Sequence, residues 1–193
     1  VDGDNFIYIT GYVTTSAKME DISVVKFNRQ GIIKWDRRYD GGEEAEDKAF
    51  GIAVDETDNI YVTGYVSTDN SGLNTDAVLL KYSSSGVVRW DRTYDGEGTV
   101  TGDKAWGIVV DDAKNSVYIT GQTTTNANGL DYLTLKYTLA GVNKWNATYN
   151  GPGNGSDVAN AIALLPGNKV IVTGKSWGTS QNHDYATVKI NNG

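Results

Sequence analysis

The chain has 193 residues and a formal net charge of -7, from 17 Lys and Arg against 24 Asp and Glu. This acidic balance argues against a nucleic-acid-binding protein, which needs a basic surface, and the absence of cysteine excludes disulfides, thiolate catalysis and cysteine zinc sites. Hydrophobic residues at 39% suffice for a folded core, and no apolar run reaches the roughly 20 residues of a membrane-spanning helix.

The first pattern along the chain is a short segment, rich in Tyr, Ile, Val and Thr, that ends in Thr-Gly. Such residues favour β-strands, and we name this predicted strand B. It recurs about every 55 residues, at 8–11, 61–64, 118–121 and 171–174.

A second segment follows in the same phase and begins with Asp. In its third copy, Leu133 and Leu135 alternate with Thr134 and Lys136, which is the period of two that a strand shows. We name it strand C. Its copies are 21–27, 76–82, 131–137 and 184–190, and its recurrent pairs are Asp76/Lys81, Asp131/Lys136 and Asp184/Lys189. These pairs are interpreted as a device of the fold, in which the Asp closes a turn or pairs locally.

Two further segments complete the pattern. Strand D starts at a Trp and ends at a Tyr, in the pairs Trp35/Tyr39, Trp90/Tyr94 and Trp145/Tyr149. Strand A precedes strand B at 48–55, 104–111 and 158–165. Because the Trp recurs at one position, we expect it to pack between neighbouring repeats.

Four short strands in a repeat of this length are typical of a β-propeller blade. The sequence therefore predicts an all-β fold of four-stranded antiparallel blades, in one segment with repeats at approximately 1–46, 47–102, 103–156 and 157–193. The first repeat lacks strand A and the last lacks strand D. We therefore expect part of a larger propeller whose outer blades expose packing faces and associate with a second copy.

The linked motifs AxGIAVDxxxNIYVTG, DxxxLKY and SGxxxWxxxYxG resemble the seven-bladed β-propeller (SBBP) repeat family of bacterial and archaeal surface proteins, over essentially the whole chain. The resemblance implies the propeller fold and a surface location, and it implies no catalytic residues. The Trp segment also resembles the tryptophan-docking motif of quinone-dependent propellers. The cofactor and calcium ligands of those enzymes are not found here, so no cofactor is predicted.

Binding residues are expected where the repeats differ, in the B-to-C and D-to-A loops, which should project from the same end. Trp177 is the one aromatic residue in these loops and the first candidate for a contact; its alternative is a side chain packed on its own blade. The other candidates are His183, Glu43, Glu44 and Glu97.

Metal and modification sites were also considered. The acidic turns at 2–5 and 55–59 offer oxygen ligands at alternating positions, but Asx turns explain them better than calcium, and no metal site is predicted. Asn146 and Asn154 begin N-glycosylation sequons.

These observations lead to the hypothesis of a non-enzymatic, extracellular or cell-surface module with a structural, adhesive or assembly role. Its expected partners are other proteins or surface polymers, and self-association is expected through the outer blades. The alternatives are a carbohydrate- or protein-binding module of a secreted multidomain enzyme, and a propeller hydrolase, lyase or quinone dehydrogenase.

Overall fold

The computed structural model describes residues 1–14, 20–42, 45–69, 74–96, 102–125, 129–180 and 182–191. The described chain is built of β-strands, with one 3-10 turn at Asp112–Lys114. The strands are β1 Ile7–Thr14, β2 Glu20–Phe27, β3 Ile33–Tyr39, β4 Lys48–Val54, β5 Ile60–Ser67, β6 Thr75–Tyr82, β7 Val88–Tyr94, β8 Lys104–Asp111, β9 Ser116–Thr125, β10 Gly129–Thr138, β11 Asn143–Tyr149, β12 Val158–Leu165, β13 Lys169–Trp177 and β14 His183–Asn191.

The strands form four antiparallel sheets in chain order. The first sheet is β1-β2-β3, the second β4-β5-β6-β7, the third β8 to β11 and the fourth β12-β13-β14. Each predicted strand type falls on an observed strand, and the first and fourth sheets have three strands each. The all-β class is thus confirmed, and the four sheets are consistent with propeller blades.

Neighbouring sheets pack face to face through three apolar clusters. Ile22 and Val24 of the first sheet pack on Ile60 and Val62 of the second, and all four are 0% exposed. Tyr61 and Leu79 of the second sheet pack on the third in the same way, and Tyr132 of the third packs on the fourth. The strands β1, β4, β8 and β12 lie next to one another in this order.

The acidic turns at 2–5 and 55–59 are Asx turns. The Asp55 carboxylate accepts hydrogen bonds from the backbone N–H groups of Thr57 and Asn59 and from the Tyr61 hydroxyl at 3.0 Å. Burial acts to raise the pKa of Asp55, but the hydrogen bonds from Asn59, Thr57 and Tyr61 outweigh it and hold the pKa below its usual value. These bonds tie the start of β5 to the end of β4.

In the second sheet, the recurrent Lys of strand C does not pair with the Asp that begins the same strand. Lys81 Nζ lies 3.8 Å from Asp55 Oδ2 and donates to the carbonyl of Leu139 in the third sheet, at 3.0 Å. Asp76 stands five residues away, about 17 Å along an extended strand, and on the opposite side of the pleat. Lys81 therefore contacts the Asp that follows strand A and the next sheet, and the recurrent Asp of strand C pairs locally at Asp131, which accepts from Thr125 at 2.9 Å.

The recurrent Trp packs between sheets, as predicted. Trp35 Nε1 donates to the carbonyl of Ser84 at 3.1 Å, and a β-carbon built on Gly86 would lie 3.0 Å from the Trp35 ring. The same arrangement recurs one sheet later, where the ring of Trp90 lies against Gly141. Each glycine has a positive φ, 79° for Gly86 and 82° for Gly141, so the position favours glycine for backbone and packing reasons together.

Candidate functional site

The described ends of the variable loops lie at one end of the sheets, which we name the loop end. Backbone hydrogen bonds join the last residue of each D-to-A loop to strand C of the preceding sheet: Asp47 N–H to Glu20, Asp103 N–H to Thr75 and Asp157 N–H to Leu130. The expectation that both loop sets project from the same end is therefore confirmed for these pairs.

Three buried aspartates fix the loop end. The carboxylate of Asp157 accepts hydrogen bonds from the N–H of Gly151 and of Trp177, each at 2.8 Å, so it holds two loops at once. Asp47 does the same for Gly41 and Ser67. The third is Asp103, which accepts from Gly96. Burial raises the pKa of Asp47 and of Asp103.

The role of these aspartates was not predicted from the sequence. The signal for their role was their recurrence immediately before each strand A, at 47, 103 and 157. An acid that is fully buried in successive copies must satisfy backbone donors that the loops leave unpaired.

Trp177 is the last residue of β13, and its side chain packs against the glycine-rich loop that precedes the fourth sheet. Its carbonyl accepts from Gly153 N–H at 3.0 Å, and a β-carbon built on Gly153 or Gly155 would overlap the indole. The side chain is partly buried. The indole packs on this loop and keeps an exposed portion, and a contact of Trp177 with a partner stays a prediction.

His183, the first residue of β14, pairs with Trp177, the last residue of β13, at the loop end. Their ring centroids are 4.7 Å apart with planes at 81°, an edge-to-face contact. Together with Gly155 and Ser156 they line a groove of about 370 Å³. The structure therefore brings two of the predicted binding residues into one site, which we name the Trp177 groove.

The other predicted binding residues, Glu43, Glu44 and Glu97, lie outside the described residues. Within the described part of the chain, three acidic side chains interact electrostatically with one another: Asp76, Asp95 and Asp103. Burial, with the negative charges of Asp95 and Asp103, raises the pKa of Asp76 to about 6. No group of three acidic or histidine side chains among the described residues could hold a metal ion.

The two sequon asparagines are both exposed but differ in setting. Asn154 lies in the glycine-rich loop beside the Trp177 groove, has a φ of 49°, and accepts from Asn150 Nδ2 at 3.1 Å. Asn146 lies in β11, the outermost strand of the third sheet, and lines a polar groove of about 240 Å³ with Tyr94 and Thr148. Glycosylation at either position stays a prediction.

An aromatic pair on the inner strands was not singled out from the sequence. Phe50 of β4 is 43% exposed, and its ring lies 4.6 Å from that of Trp106 of β8. Both residues sit where the pairing register of strand A shifts by one residue, as does Asn160 of β12. A β-bulge of this kind re-aims a side chain. The only signal in the sequence was the shared position before Gly in the second and third copies.

No helix in the described residues has the length and apolar character of a membrane span.

Comparison with known families finds one match within the chain. Residues 37–70 match the family model described as SBBP, a beta-propeller repeat. This stretch runs from β3 through strands A and B of the second sheet, and the match confirms the resemblance to SBBP repeats. No curated protein matches the sequence.

Solved structures are similar in fold. The structure of U3-55K matches with a TM-score of 0.52 at 10% identity, over 95% of this chain and 55% of that one. A protein of unknown function from Bacteroides caccae matches with a TM-score of 0.46 at 10% identity, over 86% of this chain and 53% of that one. The chain thus spans about half the length of these solved structures.

Proposed function

We propose that this chain, which carries a β-propeller repeat of the SBBP type, is a non-enzymatic module of an extracellular or cell-surface protein. Its role is structural, adhesive or in assembly, and it binds other proteins or surface polymers through the loop end. The observation that carries the proposal is the Trp177 groove, in which an indole and an imidazole meet beside a glycine-rich loop.

The way in which the groove is built supports a binding role. The Trp177 backbone is fixed because Asp157 accepts a hydrogen bond from its N–H, and the indole is fixed because the glycine-rich loop packs directly against one side of the ring. A side chain fixed in this way loses little conformational entropy when a ligand covers it. Large aromatic side chains also contribute most per residue to binding interfaces.

The use of polar residues elsewhere supports a non-enzymatic role. The recurrent Asp, Lys and Trp side chains donate or accept hydrogen bonds within turns and between sheets, as Asp55, Lys81 and Trp35 do. Charged groups of the repeat are therefore engaged in the fold. An active site would instead bring together non-repeating titratable groups in one cleft.

A second candidate is a carbohydrate-binding module of a secreted multidomain enzyme. Trp177 favours it, since a fixed indole with one accessible portion is a platform on which an apolar sugar face can lie. Binding to a polysaccharide that an attached enzyme acts on would favour this second candidate, whereas binding to a surface protein would favour the first.

The test is binding of the intact chain to a panel of soluble polysaccharides and surface-protein extracts, followed by isothermal titration with each identified ligand. Trp177→Ala should weaken binding at least about 30-fold, since interface residues of this type contribute about 2 kcal/mol or more. The fold should remain intact because the side chain is only partly buried.

The matched control is Ile32→Ser, which changes a 60% exposed side chain in the β2-to-β3 turn at the opposite end of the sheets. It should leave the affinity unchanged. If the wild type and Trp177→Ala bound a confirmed ligand with equal affinity, the Trp177 groove would not be the binding site.

A further inference from the structure

The first sheet exposes a face that is buried in the sheets after it. Ile7 and Ile9 are 40% and 50% exposed, whereas Ile60 and Val62, at the same positions of the second sheet, are each 0% exposed. Ile60 and Val62 are covered because they pack on the first sheet. We name the face that packs on the preceding sheet the leading face.

The fourth sheet exposes the opposite face, the trailing face. Tyr185 is 86% exposed, whereas Ala77 and Tyr132, at the same position of the second and third sheets, are each 1% exposed. Beside Tyr185, an apolar groove of about 190 Å³ is lined by Ala161, Ala163, Ile171 and Thr187, among others. Leu79, at the position of Thr187, is fully covered by the third sheet.

These two faces are the two halves of an interface that the chain already contains. Each internal interface joins the trailing face of one sheet to the leading face of the next. We propose that this chain associates head to tail with a second copy, so that the trailing face of the fourth sheet covers the leading face of the first sheet of that copy.

A polar contact sets the register of this association. At the internal interfaces, Lys26 donates to the carbonyl of Ser84 and Lys81 to that of Leu139, each the second residue after strand C of the next sheet. Lys189 is the equivalent lysine of the fourth sheet and is exposed. Its equivalent acceptor is the carbonyl of Arg29 in the second copy.

The proposal rests on the assembly role proposed above, but it uses surfaces separate from the Trp177 groove. A contact between two different faces is heterologous, and such contacts either close into a ring or continue as a chain. A heterologous contact therefore predicts that a variant altered on one face can still associate with a variant altered on the other face, which a symmetric contact does not predict.

The experiment uses two variants, Ile9→Glu on the leading face and Tyr185→Glu on the trailing face. Both side chains are largely exposed in the single chain, so the fold should persist, as circular dichroism and a thermal melt would verify. Sedimentation velocity should show association of the wild type. Each variant alone should associate at least about 100-fold more weakly, because a carboxylate is then buried without a partner.

An equimolar mixture of the two variants should restore a 1:1 complex, since each supplies the intact face that the other lacks. Loss of association in one variant only would indicate a symmetric contact and overturn the proposal. The proposal would also be overturned if the wild type remained monomeric at protein concentrations up to about 1 mM, since a dissociation constant above that value is a very weak affinity.

The control is Trp177→Ala, which should associate like the wild type. Failure of ligand binding at the loop end with intact association would count against the proposed binding role alone. Intact ligand binding with no association would count against the head-to-tail contact alone.

Discussion

At the scale of single residues, the repeat assigns the same side chain the same task in successive sheets. Asp55 closes a turn, Lys81 reaches the next sheet, and Trp35 caps a glycine turn. Residues that depart from such a task are those to examine for function. Asp76 and Asp131 do not depart from it, because they occupy the same repeat position and burial with a neighbouring carboxylate raises the pKa of both.

The first prediction concerns the pH dependence of stability at Asp76. A folded-state pKa of about 6, above the roughly 3.9 of an unfolded chain, means that the native state binds the proton more tightly. The stability that this bound proton provides is fully present below pH 4 and is lost as the pH rises through 6. Asp76→Asn should therefore raise Tm at pH 7.5 by about 2 to 4 °C, equivalent to about 1 kcal/mol, and leave it unchanged at pH 3.5.

Differential scanning calorimetry at the two pH values measures this change. Asp36→Asn makes the same chemical change at an exposed position of β3 and is the matched control for it. A stabilisation by Asp76→Asn that is as large at pH 3.5 as at pH 7.5 would show that titration is not its cause.

At the scale of elements, the sheets are joined by a turn of one sheet and a Trp of the preceding one. The turn glycines Gly31, Gly86 and Gly141 have nearly the same φ, from 78° to 82°. A β-carbon at Gly141 would lie 3.0 Å from two atoms of the Trp90 ring, whereas one at Gly31 would meet nothing within 4 Å. Gly31 is therefore an internal control for the free-energy cost of adding a β-carbon against the Trp90 ring at Gly141.

The second prediction compares Gly141→Ala with Gly31→Ala. Both should lose about 1 to 2 kcal/mol of unfolding free energy from the left-handed backbone, and Gly141→Ala should lose about 1 to 3 kcal/mol more from overpacking against Trp90. Urea unfolding measures both values. In a Trp90→Ala background the excess for Gly141→Ala should disappear; an excess that persists would locate the strain elsewhere.

The strands could be predicted from the sequence because apolar periodicity and turn residues recur in phase, so each copy reinforced the others. The bulge at Phe50 and Trp106 could not, since a bulge is an offset relative to the partner strand and leaves no mark in a single segment. The two partners of Lys81 were missed for a similar reason: Asp55 follows another strand of the same sheet, and Leu139 lies in the next sheet. Trp177 and His183 could be selected as loop residues, but their edge-to-face contact depends on the pairing register of β13 with β14.

At the scale of the whole molecule, stability is approximately a sum over sheets and the interfaces between neighbours. The second and third sheets are covered on both faces, and Val62, Leu79 and Leu135 are each 0% exposed. The first and fourth sheets are each covered on one face. The local free energy of opening should therefore be highest in the middle of the chain and lower toward both ends.

The last prediction is a gradient of amide hydrogen exchange. At low protein concentration, amides of β1 and β14 should exchange at least about 100-fold faster than those of β6 and β9, because opening an outer sheet breaks one interface instead of two. Raising the concentration should slow exchange in β1 and β14 selectively, since association covers the leading face at Ile9 and the trailing face at Tyr185. In Tyr185→Glu this concentration dependence should vanish while the gradient remains. Equal protection in all four sheets would mean that the chain opens as one cooperative unit, and the one-dimensional account of its stability would then be wrong.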